Sequence, residues 1–397
     1  MSRPTAAPID PERLAPVLAP TLAESRTLPP EAYTAPEVLA WEREHLFEGA
    51  WVCLGRAEDL REPGDQAAFR IGREGVLLVR GEDGALRGFY NVCRHRGHEL
   101  LPCGEARRLR VIRCPYHAWT YALDGRLAGA PRFSDVPGFD RADHPLVPVR
   151  VAEWQGFVFA NASCDAPELT EWLGNLDQLV APWEPGRLTV AASHTYAVRA
   201  NWKVIVENYH ECYHCSSIHP ALCRVSPPDS GENHPHTGRW VGGSMELVDH
   251  AETMSLTGRS GGIRLPGLSD RQAREVWYHG LFPNLLLSLH PDYVMFHRLD
   301  PVAPDETTVE CAWLFPPEAR ERPGFDPGYA VEFWDLTNRE DWAACESVQR
   351  GLASRGARQG PFARMEDEVA LFQKMVARAY LEGTVPVPPP LREVEPA

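Results

Sequence analysis

The chain has 397 residues, 44% of them hydrophobic, and a formal charge of −15. That length accommodates two domains with real cores, and the absence of any long apolar run excludes a helical membrane span. The net negative charge argues against nucleic acid as a partner. The N-terminus, with several prolines beside Asp10 and Glu12, lacks a basic start followed by an apolar core, so a cytoplasmic location with reduced cysteines is expected.

Residues 1 to about 33 are rich in Pro and Ala without periodicity and read as a loose arm. Thr34-x-x-Glu37 has the form of a capping box, opening a short helix to Phe47. From 48 to 162 the pattern is short strands and turns. Val76 to Val79 and Phe157 to Phe159 are strand-like, while Asp83-Gly84 and Asp124-Gly125 are hairpin signals. This segment is an all-β module.

Within it, Cys93-Arg-His95 is followed by Cys114-Pro-Tyr-His117. Two thiolates and two imidazoles in paired arms can hold a [2Fe–2S] cluster of Rieske type, one iron on sulfur and one on nitrogen. The same four side chains also suit a tetrahedral zinc ion, although the usual zinc spacings differ from these arms. Gly97 and Pro115 fit tight loops around such a group. Arg94, Arg96, Arg107, Arg108, Arg110 and Arg113 crowd the arms. A basic rim of this kind would dock an acidic electron donor, and added salt should then slow turnover with that donor.

Residues 163–383 mix longer helices with strands at Thr189 to Val198, Leu285 to Leu289, Val294 to Leu299 and Thr307 to Phe315. An antiparallel sheet backed by helices is expected, with residues 227–270 a polar, Gly-rich loop and a final helix from about Phe362 to Leu381. Residues 384–397 form a stiff Pro-rich tail. A helix starting near Trp202 would place Glu207, Glu211 and His214 on one face, with His219 just beyond it. Two histidines plus a carboxylate from elsewhere form a facial triad that leaves positions open on Fe(II). Two other patterns overlap this stretch: His210-Glu-x-x-His214, as in zinc proteases, and Cys212-x-x-Cys215, with redox spacing.

Cys93-Arg-His-Arg-Gly, Cys114-Pro-Tyr-His-x-Trp and the stretch Asn201-Trp-Lys to His219-Pro together resemble Rieske mononuclear iron oxygenases, over roughly residues 35–383. The branch most similar acts on quaternary ammonium compounds such as glycine betaine, stachydrine, carnitine and choline. The resemblance implies an α+β chain, an all-β Rieske domain over 48–162 joined to a helix-grip catalytic domain over 163–383, with residues 1–47 packing on the latter. It implies Cys93, His95, Cys114 and His117 as cluster ligands. His214, His219 and Asp341 would be iron ligands, Glu340 being the next carboxylate candidate. Glu211, with Asn201 and Glu207, would complete the catalytic residues. His210 departs from the pattern, which is apolar there. Asn338 to Trp342 reads as a helix start.

The family's chemistry further implies electrons from NAD(P)H through a separate reductase or ferredoxin. It also implies a homotrimer in which Glu211 bridges to a neighbour's His117, and hydroxylation or N-demethylation of a small betaine-like molecule with O2. An aromatic-acid hydroxylase on the same fold is the alternative. A quaternary ammonium needs aromatic faces. The resemblance favours Tyr293 and His290, with Trp277 and Phe296, as pocket residues, while Tyr209, Tyr213, Trp240, Tyr278 and Phe282 are further candidates in this domain.

Overall fold

The computed structural model describes residues 6–389, so the last part of the Pro-rich tail lies outside the described residues. It divides into two compact units, residues 43–167 and residues 1–42 with 168–397. These bounds lie slightly outside the expected 48–162.

The smaller unit is built on a seven-stranded antiparallel sheet. Its strands are β1 (Val52–Arg56), β2 (Asp65–Ile71), β3 (Glu74–Arg80), β4 (Leu86–Tyr90) and β5 (Ala106–Arg108), followed after a separate small sheet by β9 (Pro148–Trp154) and β10 (Phe157–Asn161). Their order is β1-β10-β9-β4-β3-β2-β5. The small sheet pairs β6 (Ile112–Arg113), β7 (Thr120–Tyr121) and β8 (Leu127–Gly129). Asp83-Gly84 and Asp124-Gly125 turn the hairpins, each with glycine at positive φ. Between the sheets Leu77, Val79, Phe89, Ile112, Trp119 and Tyr121 form one core cluster that also takes in Cys93 and Cys114.

The larger unit carries the second seven-stranded antiparallel sheet, in the order β11-β17-β16-β15-β14-β13-β12. These strands are β11 (Thr189–Val198), β12 (Glu232–Asn233), β13 (Trp240–Glu246), β14 (Glu275–Leu281), β15 (Leu285–Leu289), β16 (Val294–Ala303) and β17 (Glu306–Phe315). Helices α1 (Pro36–Glu42), α2 (Trp202–Tyr209), α3 (Cys215–Ile218), α4 (Gly328–Leu352) and α5 (Asp367–Glu382) are the ones that bear on the site. Ala330, Phe333 and Trp334 of α4 pack on Tyr293, Met295, Trp313 and Phe315 of the sheet side in one cluster. The buried stripe of α4 continues through Thr337, Asn338 and Cys345 at helical spacing.

Several expectations need correction. Thr34 ends a short helix, its hydroxyl donating to Pro30 O at 3.0 Å, and Ala35 is extended. Pro36 forbids the helical conformation one residue earlier and opens α1 itself, so no capping box forms. The N-terminal arm is not loose: Ile9, Leu14, Val17 and Leu28 are buried. Ala7 N–H donates to Tyr380 O at 2.8 Å, and Leu28 N–H to Gln373 Oε1 at 2.6 Å. An irregular segment can pack single apolar side chains without the periodicity by which regular elements are recognised.

The stretch 227–270 contains β12 and β13 rather than loop alone. Gly242 and Gly243, part of what made the stretch read as loop, are what lets β13 pair closely. A Cβ at either would lie 2.1 Å from a carbonyl oxygen, of Tyr278 or Glu232 respectively. The last helix begins at Asp367, later than expected, after a 3₁₀ turn at Arg364–Glu366. Asn338 is not a helix start but lies inside the 25-residue α4.

A buried ion pair pins α2 to the N-terminal segment. Lys203 Nζ lies 2.6 Å from Glu42 Oε1 with both side chains at 0% exposure. Trp202 Nε1 donates to Glu42 Oε2 at 3.0 Å, and Tyr380 of α5 donates its hydroxyl to the same carboxylate. Breaking such a pair strands a charge in the core, whereas replacing both members by apolar groups does not. Lys203→Met should therefore lower stability by about 3–5 kcal/mol in urea unfolding. Adding Glu42→Leu should recover most of that loss.

Candidate metal centres and cavity

The two cluster arms share one local design. Cys93 O accepts from Gly97 N–H at 3.0 Å and Cys114 O from Ala118 N–H at 3.1 Å, and the fifth residue of each loop has positive φ, Gly97 at 72° and Ala118 at 57°. Glycine supplies that geometry freely in one loop, and the surrounding packing holds alanine to it in the other. Both cysteines are free and buried. His95 and His117 come within 4.7 Å ring to ring, and His95 stacks on Trp119 at 4.9 Å. His95 Nδ1 is buried with no hydrogen-bond partner, which suits a nitrogen that ligates a metal. Tyr121, missed in the sequence, has its hydroxyl 3.3 Å from Cys93 Sγ and accepts from Arg94 N–H at 3.0 Å. Hydrogen bonds to cluster sulfur raise the potential.

Among the described residues one group has donor atoms all within 4.8 Å of one another: His214, His219 and Asp341. The four cluster residues, two thiols and two imidazoles, have the donor set of a Rieske two-iron cluster. The triad is assembled from two places. Helix α2 ends at Tyr209, so Glu207, Glu211 and His214 do not share a helix face as expected. Glu211 Oε2 instead accepts from His214 N–H at 3.1 Å, opening a turn before α3. His219 follows α3 directly ahead of Pro220. Asp341 comes from the inward stripe of α4.

His219 Nε2 lies 2.9 Å and His214 Nε2 3.4 Å from Asp341 Oδ1, and the two Nε2 atoms are 3.2 Å apart. The opposite ring nitrogens are also paired: His214 Nδ1 with Glu211 Oε1 at 2.5 Å, His219 Nδ1 with Glu340 Oε2 at 2.7 Å. Carboxylates behind the ligating histidines fix each ring and raise its basicity. Glu340 thus sits behind a histidine rather than beside Asp341. Burial opposes charge on His214, but Asp341 and Glu211 outweigh it and hold the group up to about 9. His219 is raised too, against burial, by Asp341 first and then Glu340. For Asp341 burial pushes upward, yet the two histidines hold its carboxyl below the usual range. Two neutral imidazoles and one carboxylate match the donor set of mononuclear non-haem Fe(II).

The triad opens on a cavity of about 660 Å³. Tyr209, Tyr278 and Trp334 line it together with His210 and Glu368. The Tyr209 and Tyr278 ring centroids are 5.9 Å apart and steeply inclined, those of Tyr278 and Trp334 6.4 Å apart. Tyr209 is fixed by its hydroxyl, which donates to Leu287 O at 2.6 Å.

Other expected residues lie elsewhere. Tyr293 is fully buried and accepts from Trp334 Nε1 at 2.8 Å, and His290 stacks on Tyr293 at 4.1 Å. They stand behind the cavity wall. Trp277 packs against His234 and Trp183, and Phe296 is core. None of the four lines the cavity. Asn201 caps α2, accepting from Lys203 N–H at 3.1 Å, and Glu207 accepts from the Tyr33 hydroxyl at 2.8 Å. Both are taken up by structural contacts. His210 turns away from His214 toward Glu368, so the protease-like pattern forms no site. Cys212 and Cys215 form a disulfide, against the expectation that every cysteine is reduced. The turn that ends α2 brings their Cα atoms to 4.9 Å, within bridging range.

A β-module with paired Cys/His arms and a helix-backed sheet carrying two histidines and a carboxylate define a two-centre iron oxygenase. Residues 50–140 match the Rieske [2Fe-2S] domain, and residues 185–382 match the catalytic domain of the ring hydroxylating alpha subunit. The chain belongs to the Rieske non-haem iron oxygenases, and its cofactors are a [2Fe–2S] cluster and a mononuclear iron. It is 31% identical to the glycine betaine monooxygenase oxygenase subunit of Chromohalobacter salexigens, covering 85% of this chain and 82% of that one. It is 35% identical to the carnitine monooxygenase oxygenase subunit of Escherichia coli, covering 84% and 86%. A solved quaternary ammonium Rieske monooxygenase superposes with a TM-score of 0.78 at 30% identity, over 95% of this chain and all of that one. Naphthalene 1,2-dioxygenase from Rhodococcus, at 22% identity and TM-score 0.73 over 89% and 94%, shares the fold.

Imidazole must be neutral to bind metal. With His214 raised to about 9, Fe(II) uptake should release protons, and affinity should rise with pH up to about 9. Glu340→Gln should weaken iron binding about 10–100-fold, read by metal titration, while the cluster spectrum is unchanged.

Proposed function

We propose that this chain oxidises an N-methylated ammonium compound of betaine type, hydroxylating a methyl group so that the product collapses to formaldehyde and the demethylated amine. The observation that carries this reading is the corner of Tyr209, Tyr278 and Trp334 in the same cavity as the triad. Aromatic faces attract a cation that offers no N–H to bond. The cavity charge agrees: Asp229, Glu232 and Asp367 line it against Arg364.

In this reading His214, His219 and Asp341 hold the iron, and Cys93, His95, Cys114 and His117 hold the cluster. The two metal groups supply the electron transfer and O2 activation. Glu211 keeps His214 oriented through Nδ1, and its position next to an iron ligand suits the link to a neighbouring subunit's His117 in a homotrimer. A reductase supplies the electrons from NAD(P)H. Arg94, Arg96, Arg110 and Arg113 are exposed around the arms, while Arg108 is paired with Asp65 at 2.6 Å, so those four are the basis for docking an acidic donor.

Protein reduced anaerobically and then given O2 with a panel of betaines and aromatic acids should release formaldehyde from a methylated ammonium compound. A hydroxylated aromatic product without formaldehyde would overturn the reading. Glu211→Ala should weaken iron binding much as Glu340→Gln does and, even at saturating iron with the cluster spectrum unchanged, should lose product formation coupled to O2 uptake.

A further inference from the structure

Cys212 and Cys215 bracket His214, and their disulfide closes the turn between α2 and α3. The oxygenation described above has no use for that bridge. It is not sealed in the core: Cys212 is half-buried, and both cysteines line the same cavity of about 660 Å³ as the triad. A small reductant or peroxide entering the cavity meets the residues of the pair.

One of the two sulfurs also lies beside the metal donors. Cys215 Sγ is 4.0 Å from His214 Nε2, the nitrogen that faces His219 and Asp341. Two such donors on one tetrahedral ion stand roughly 3.6 Å apart, so a small side-chain rotation separates Cys215 from the position of a fourth ligand. In the disulfide that sulfur is tied to Cys212 and carries no charge, whereas the ligand that metals bind is the thiolate. The bridge therefore withholds it. Two histidines and one carboxylate leave positions open on Fe(II). With a thiolate added, the same residues make a closed shell of four donors, the form that holds zinc structurally, and sulfur shifts the preference from iron toward zinc.

We propose that Cys212 and Cys215 are a reversible redox modification site that sets the metal preference of the triad. Oxidised, the pair leaves an open iron site; reduced, it adds Cys215 Sγ to His214, His219 and Asp341 and makes a zinc site. Reduction breaks the S–S bond and forms two thiols, with two electrons from an external dithiol, which itself becomes a disulfide, and the two protons that dithiol releases. Hydrogen peroxide reverses it, taking up the two thiol hydrogens and leaving as two waters. On ligation the Cys215 thiol gives its proton to solvent. The inference rests on the triad being the iron site and does not depend on the substrate.

The test uses cluster-loaded protein freed of mononuclear iron, titrated with zinc and read at the zinc X-ray absorption edge, where the cluster iron does not contribute. The oxidised form, set with peroxide, should show only nitrogen and oxygen neighbours at about 2.0–2.1 Å. After a water-soluble phosphine, which takes the oxygen of water and leaves as its oxide, one sulfur at about 2.3 Å should appear. Zinc should then bind about tenfold or more tightly. Cys212→Ser leaves Cys215 unbridged and should show the sulfur without reductant, and Cys215→Ser should show none in either state. A bridge that merely stiffens the turn would make the two variants behave alike with no sulfur at zinc, which overturns the proposal. Wild-type neighbours and affinity that do not change on reduction overturn it too, as does a pair that alkylation and mass analysis find unbridged after peroxide. His219→Ala should weaken zinc binding in both states. If it does not, the assignment of the triad as the metal site falls, whereas an unchanged redox response with His219 dependence intact removes only the redox site.

Discussion

The buried pair of Lys203 and Glu42 is the constraint on which the catalytic unit turns. A fully desolvated ion pair is tolerated only where the geometry and extra hydrogen bonds compensate the lost hydration, and here Trp202 and Tyr380 supply them. The same carboxylate therefore holds the N-terminal segment, α2 and α5 in one register. Helix α2 leads directly into the turn that carries His214, so the position of that histidine is inherited from a contact made by Glu42, far away in the chain.

The metal triad repeats this logic at smaller scale. Each histidine is gripped on its outer nitrogen by a carboxylate, Glu211 or Glu340, and meets Asp341 through its inner one. Three carboxylates converge on two rings in a partly buried place, which favours a divalent cation electrostatically and fixes the rings before it binds. The cluster loops achieve their order differently, by matched backbone turns and the packing of His95 against Trp119. His117 stays exposed, as an electron entry or exit point requires.

The cavity explains why the residues first favoured for substrate lie elsewhere. Tyr293 and His290 lie in the turn between β15 and β16, in a segment where an aromatic pattern suggests a cage, but they pack in the layer behind Trp334. The wall itself is made by Tyr209 at the end of α2, Tyr278 on β14, Trp334 on α4 and Glu368 at the start of α5. Each is unremarkable in its own segment, and only together do they form the cavity wall.

Both candidate metal-binding sets were legible in the amino-acid sequence because short-range spacing governs most of their members. Cys-x-His and Cys-x-x-His arms, and His214 five residues before His219, must lie close whatever the rest of the chain does. Asp341 was reached only through the resemblance of its segment to the family's, while several strands of both sheets were legible through their alternation and turns. The glycines of β13, the ordered N-terminal arm, the end of α2 and the Cys212–Cys215 bridge were not, since packing partners decide them and local propensity does not. Tertiary structure alone determined which aromatic rings face the iron and that His210 meets Glu368. The physical reason is that these contacts join elements far apart in the chain, and side-chain packing brings them together where no local pattern could.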